Sequence, residues 1–302
     1  MLAVCLFFVA TVVAAPPSLL KAATATDPSD EIVMTPAGPF PRASMHLVPD
    51  GARVHQSENV VQILASDGTI IHSATVAKAV SKQPTLTSLA PRALSSGYVA
   101  YSYWKNNGTS PISSFSTSWT VPPVPAKKDG QLLYIFNALI PNSFDGIFQP
   151  VLQFGSSPAG GGNYWAVASW FLVNSNIYFT APDQVKSGKV LSGVMTLKST
   201  TTSNSTVTYN WNSIFTGVPS TSLSISSTEV FNYAYEALEI YSVSRTSDLP
   251  TGKTAMTAIN IVTQDGKHPA LNWTSVSDTT DGFQLAVIKN GATDGEVDIV
   301  YA

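Results

Sequence analysis

The chain has 302 residues, a charged fraction of only 12% and a net charge of −3. That charge content is about half of ordinary usage, and no basic patch with interleaved aromatics occurs. Nucleic acid and anionic membrane are therefore set aside as partners, and so is a helical cytosolic enzyme. Ser, Thr, Asn, Gly and Pro fill the gap, as in a secreted β-rich protein.

Residues 1–15 (MLAVCLFFVATVVAA) form an apolar run ending in small residues. The run is too short to span a bilayer and reads as a signal peptide, so the expected location is secreted and extracellular, without membrane insertion. The single cysteine, Cys5, lies inside it. The mature chain is expected to have no disulfide, cysteine nucleophile or thiolate metal site. Asn107, Asn204 and Asn272 begin glycosylation sequons, in keeping with export.

Residues 16–94 hold no Trp or Tyr, most of the histidines, and Pro-rich segments such as the one from Pro36 to Pro41. A strand over 60–64, a turn at Asp67 and Gly68, and a strand over 69–72 suggest a small β unit, followed by a short helix over 75–82. The apolar surface is too small for an independent core. The region reads as a propeptide released near residues 90–93, or as a linker.

From Gly97 the period becomes two. Strands are expected over 98–104, 114–121, 132–139, 147–154, 164–173, 176–180, 190–197, 206–211, 220–225, 233–242, 255–262, 283–289 and 296–301. Gly, Pro, Asn and Ser clusters separate them, and no amphipathic helix intervenes. The fold class is all-β: residues 95–302 are predicted to form a two-sheet antiparallel sandwich or jelly roll.

Several chemistries drop out. Of the histidines, only His268 lies in this region, in a Gly-Lys-His-Pro turn that suits a surface residue. Gly-x-Ser-x-Gly and two-His metal motifs are absent, and the stretch from Gly160 to Gly162 lacks the Lys and helix of a phosphate loop, so it reads as a plain loop. No metal and no cofactor are implied. Amide and carboxylate chemistry remains. Gln149 and Gln153 share one face of the 147–154 strand, opposite Phe148, Leu152 and Phe154. An uncharged amide there offers a donor and an acceptor at one fixed point. Glu236 and Glu239 sit inside an aromatic strand, and their odd spacing puts them on opposite faces. Glu236 goes with Ala234, Leu238 and Ile240; Glu239 goes with Tyr235, Ala237, Tyr241 and Val243. Hydrogen-bonded packing residues of an edge strand would carry the same pattern.

These segments together resemble the eqolisins, the glutamic peptidases, which are secreted acid proteases built on a concanavalin A-like sandwich. The likeness lies in the Phe115–Pro125 strand and Val-Pro corner, the 147–153 segment, Ser169-Trp-Phe, and the 234–243 strand, in that order. The resemblance implies that Gln149 is the catalytic glutamine and that Glu239 or Glu236 is the catalytic glutamate. It implies that Gln153, Trp170, Tyr235, Tyr241 and Ser169 line the substrate site. Departures are visible: Ser169 stands where the family has a glutamate, Asn137 lies where an aspartate is expected, and the two glutamates are three apart instead of four. The implied activity is acid-pH endopeptidase cleavage of polypeptide by a monomer, with no cofactor. Two rivals remain: a lectin-like module in which the same aromatics and amides bind a glycan, and a glycosidase using Glu236 and Glu239. Opposite faces weigh against the latter, because two carboxylates must flank one bond.

Overall fold

The structure, a computed structural model, describes residues 31–57, 60–75 and 96–301. In chain order the strands are β1 (Ile32–Thr35), β2 (Gly38–Pro41), β3 (Met45–Leu47), β4 (Arg53–Gln56), β5 (Val60–Leu64), β6 (Ile70–Thr75) and β7 (Gly97–Lys105). There follow β8 (Ile112–Thr120), β9 (Leu132–Pro141), β10 (Gly146–Ser157), β11 (Gly160–Val173), β12 (Asn176–Phe179), β13 (Asp183–Val185) and β14 (Val190–Ser203). The last seven are β15 (Thr206–Phe215), β16 (Val218–Ser227), β17 (Phe231–Tyr241), β18 (Lys253–Thr263), β19 (Thr274–Ser277), β20 (Gln284–Lys289) and β21 (Gly295–Val300).

Two large sheets pack face to face. One runs β19-β7-β17-β9-β10-β11-β12-β3, with β13 also on β11; the other runs β20-β21-β18-β8-β14-β15-β16-β4-β5-β6. The all-β sandwich is as expected, with two corrections. It is not purely antiparallel: β3 runs parallel to β12, and β4 parallel to β16. Nor do residues 45–75 form a separate β unit, because their strands extend both sheets and bury Val54, Val61 and Ile63 in the common core. The hairpin of β5 and β6 forms as expected, while the helix anticipated over 75–82 lies outside the described residues except for Thr75, which ends β6.

The inter-sheet core is aromatic. Phe115, Trp119, Phe148, Trp165, Phe171 and Trp211 are all nearly inaccessible, and Trp119 meets Phe215 edge-on at 5.6 Å. Each such ring removes a large apolar area from water. This suits a chain in which no disulfide is expected.

The far face of the nine-stranded sheet is buried too. Tyr134, Phe136, Trp170, Tyr235 and Tyr241 make a second cluster there, against which Ala37, Phe40 and Met45 pack. A sandwich normally leaves such a face wet. Here the β1–β2 hairpin lies over it, which explains why every residue of β9 is buried and why β10 is buried on both sides from Gly146 to Gly155.

Candidate active site on the outer face of the nine-stranded sheet

Alternation along β17 separates its two glutamates. Glu236 is fully buried between the sheets, where its Oε1 accepts a hydrogen bond from the Thr117 hydroxyl on β8. Burial holds its carboxyl well above the usual carboxylate range, and the Thr117 bond offsets only part of that. Glu239 is equally buried on the outer face, where its Oε1 accepts from the Tyr241 hydroxyl. Burial pushes its pKa up to about 8, against the lowering effects of Tyr241 and the nearby Gly38 N–H. Its Oε2 has no hydrogen bond of good geometry among the described residues. Tyr98 and Tyr134 pair with Glu239 from the strands on either side, so the carboxyl sits in a ring of tyrosines. Burial, and then the Glu239 charge, raise both of those phenols.

Gln149 lies on the same outer face, beside Trp170 of β11. Its side chain is 1% exposed, and its Nε2 donates to the Pro36 carbonyl at 2.5 Å. A carbonyl can only accept, so the amide must turn an N–H toward Pro36. That leaves Gln149 Oε1 buried without a donor among the described residues. Gln149 and Glu239 are therefore reached by one short piece of backbone: the Pro36 carbonyl touches the first and the Gly38 N–H approaches the second.

Strand register adds a detail. Gln153 pairs with Tyr134, and Tyr134 with Glu239, so these three form one row across β10, β9 and β17. Gln149 sits four residues further along β10, about 13 Å at the usual rise per residue. Gln153 is, however, committed to its own turn. Its Nε2 donates to the Gly155 and Gly160 carbonyls at 2.8 and 2.9 Å, and its Oε1 accepts from the Ser157 hydroxyl at 3.0 Å. Expected as a substrate-positioning residue, it is here the pin of the β10–β11 hairpin. The glycines that read as a loop open β11, and a Cβ on Gly161 would come within 2.4 Å of Gln153 Nε2.

Among the other expected residues, Trp170, Tyr235 and Tyr241 share the outer face with Gln149 and Glu239. Ser169 does not. It points between the sheets, where its hydroxyl meets that of Ser213 at 2.9 Å, because its neighbour Trp170 takes the outer position. Val243, expected with Glu239, belongs to the inter-sheet core, since β17 ends at Tyr241 and Ser242 takes a positive φ of 55°. Tyr235 stacks on Tyr101 and Tyr103 at 5.8 and 5.6 Å, so these rings spend their faces on one another and offer little flat surface to a sugar. Glu236 and Glu239 cannot flank one bond from opposite sides of a sheet, which disposes of the glycosidase pairing. The Asn107, Asn204 and Asn272 side chains are exposed. Sequence reasoning missed Tyr98, Tyr134, Pro36 and Gly38; the dense tyrosines of 98–103 were a visible signal, whereas the two hairpin residues carried none.

No protein-family model matches the chain, and no curated protein does. Among solved structures it is similar to scytalido-glutamic peptidase with a peptide-based transition-state analogue. The identity is 10% and the TM-score 0.43, over 68% of this chain and 100% of that one. It is also similar to SCP-B, a member of the eqolisin family of peptidases, in a complex with the tripeptide Ala-Ile-His. There the identity is 11% and the TM-score 0.42, over 68% of this chain and 98% of the other.

Proposed function

We propose that the outer face of the nine-stranded sheet is the active site of an acid-acting endopeptidase, with Glu239 as general base and Gln149 as the amide that holds the scissile carbonyl. One observation carries the reading: peptide backbone lies against the pair, its carbonyl on the Gln149 N–H and its next-but-one amide at Glu239. A group that hydrogen-bonds a carbonyl in the ground state is suited to the oxyanion that forms from it. Glu239 would draw a proton from a water, deliver the hydroxide to the carbonyl carbon, and return the proton to the departing amine. Covered as it is here, Glu239 holds its proton up to about pH 8. Solvent admitted with a substrate relieves that burial and lets the pKa fall toward the acidic range, where a carboxylate base serves an acid protease. Tyr241 keeps the carboxyl oriented through either state.

A second reading of the amide has its own support, because Gln153 and not Gln149 shares a row with Glu239. The test separates the two. Denatured casein is incubated with the secreted protein across acidic to neutral pH, with metal chelators and serine inhibitors present. Cleavage abolished by Glu239→Gln and reduced about a hundredfold or more by Gln149→Ala is the expected result. Full activity in Glu239→Gln would sink the proposal, and loss confined to Gln153→Ala would move the amide role to that residue. Retention on a glycan array without cleavage at any pH would support the lectin-like alternative.

A further inference from the structure

We propose that a cleft at the β13 edge of the outer face binds carboxylates, as an exosite for acidic side chains or the free C-terminus of a polypeptide. The anion site stands on its own geometry. The choice of a polypeptide as the source rests on the reading of the outer face as a peptidase site.

The cleft lies where the loop after β8, the start of β11 and the strand β13 meet. It holds about 220 Å³, and Lys128, Asn163, Tyr164, Trp165, Gln184 and Lys186 supply its polar lining. Strand register places it on the molecule. Glu239, Tyr134, Gln153, Ala166 and Gln184 form one continuous row across β17, β9, β10, β11 and β13. Four strand steps separate the ends of that row, so Gln184 stands about 19 Å from Glu239, past the β10–β11 turn. An extended chain covers that distance in about six residues.

The lining is rich in hydrogen-bond donors, and no carboxylate belongs to it. Lys128 and Lys186 are exposed, and neither ammonium pairs with a carboxylate among the described residues. Trp165 is buried, and its indole N–H, which can only donate, has no acceptor among the described residues. The nearest acidic residues along the chain are engaged elsewhere. Asp129 pairs with Arg245, and Asp183 turns to the opposite side of β13 from Gln184, where it accepts from the Ser220 hydroxyl at 2.8 Å. Lys127 and Lys189 stand in the same two loops, which the Gly188 N–H ties to the Val121 carbonyl at 2.9 Å and the Val121 N–H to the Lys189 carbonyl at 2.8 Å. In a chain of net charge −3 this is a local excess of positive charge. A carboxylate set between the two ammonium groups supplies the missing acceptors, through charge-assisted bonds that exceed neutral ones in strength. Val124 and Tyr164, both exposed, offer apolar surface to the rest of an amino-acid residue. The amides of Asn163 and Gln184 can both donate to and accept from its backbone.

Binding is read on the full chain carrying Glu239→Gln, so that turnover does not intervene. Fluorescence anisotropy near pH 6 and at low salt compares three labelled peptides built on one Gly, Ser and Val frame. The first is amidated and carries Glu, the second is free of Glu but ends in a carboxylate, and the third is amidated with Gln in place of Glu. At least one acidic peptide should bind about fivefold or more tightly than the neutral one, since each exposed ammonium contact adds only a small factor. Which of the two does so separates side chain from terminus. Lys128→Met combined with Lys186→Met should erase the difference, and so should about 0.5 M salt. Lys198→Met combined with Lys267→Met removes the same charge from β14 and from the turn at the opposite end of β8, and should leave the difference intact. Equal binding of all three peptides, a difference that survives the loss of Lys128 and Lys186, or equal loss in the control pair would overturn the site. Binding of a polyuronate oligomer with neither acidic peptide bound would overturn the polypeptide source. Preference for an acidic peptide with no casein cleavage by the wild type at any pH would leave the site standing and remove the peptidase reading instead.

Discussion

Glu236 and Glu239 are three residues apart on one strand and face opposite sides of the same sheet, the first bonded to Thr117 between the sheets and the second to Tyr241 outside. They should respond differently to the same change. Glu236→Gln keeps the shape and an acceptor for Thr117 in a place where burial disfavours the charged carboxylate, so its unfolding free energy should shift by less than about 1 kcal/mol. Glu239→Gln should also fold but lose casein cleavage. Urea unfolding beside the casein assay checks both, and a loss of activity confined to Glu236→Gln would contradict the assignment.

Both carboxyls also make stability depend on pH. Their folded pKa values are raised, so the folded state binds protons that the unfolded state has released once pH exceeds the ordinary carboxylate value. The stabilisation is complete in acid and is lost as pH climbs from about 4.5 toward 8, the value to which Glu239 is raised. For Glu239 the whole effect is on the order of a few kcal/mol as an upper limit. Urea midpoints should fall between mildly acidic and mildly alkaline pH, and Glu239→Gln should flatten part of that slope.

Ser169 and Ser213 give a test of which face a residue serves. Removing one hydroxyl leaves its partner buried and unsatisfied, so Ser169→Ala should cost about 1–2 kcal/mol, and the double change to Ala should recover part of that. Casein cleavage by folded Ser169→Ala should match the wild type, since the hydroxyl points away from Gln149.

The β10–β11 turn supplies a fourth prediction. Gly161 has a φ of +95°, and a Cβ there would approach the Gly155 carbonyl at 2.6 Å as well as Gln153 Nε2. Gly161→Ala should destabilise by about 1–3 kcal/mol. Gln153→Ala should also lower the unfolding midpoint, whereas Gln149→Ala, which loses a single bond to the Pro36 carbonyl, should lower it less.

How far the sequence could be read follows from the range of each interaction. The opposite facing of Glu236 and Glu239 was legible because alternation is a property of the strand itself. The sandwich was legible for a similar reason, as the strands from β7 to β21 are mostly long, regularly alternating and separated by turn residues. The roles of Met45–Leu47 and Arg53–Gln56 were not. Three or four residues carry no dependable period, and their partners on β12 and β16 lie more than a hundred positions away. The turn bonds of Gln153 were not legible because they depend on Gly155 and Gly161 taking positive φ. The contact between Pro36 and Gln149 joins positions 113 apart and leaves no local trace at all.

The parallel strands from the N-terminal region have a consequence for processing. If the chain is cut near residues 90–93, the segment before the cut does not become a free peptide. It still supplies β3 to one sheet, β4 to β6 to the other, and Val54, Val61 and Ile63 to the core. Cleavage would turn one chain into two that remain a single folded body. Loss of the early segment would leave β12 and β16 as bare sheet edges, the kind that seek another strand.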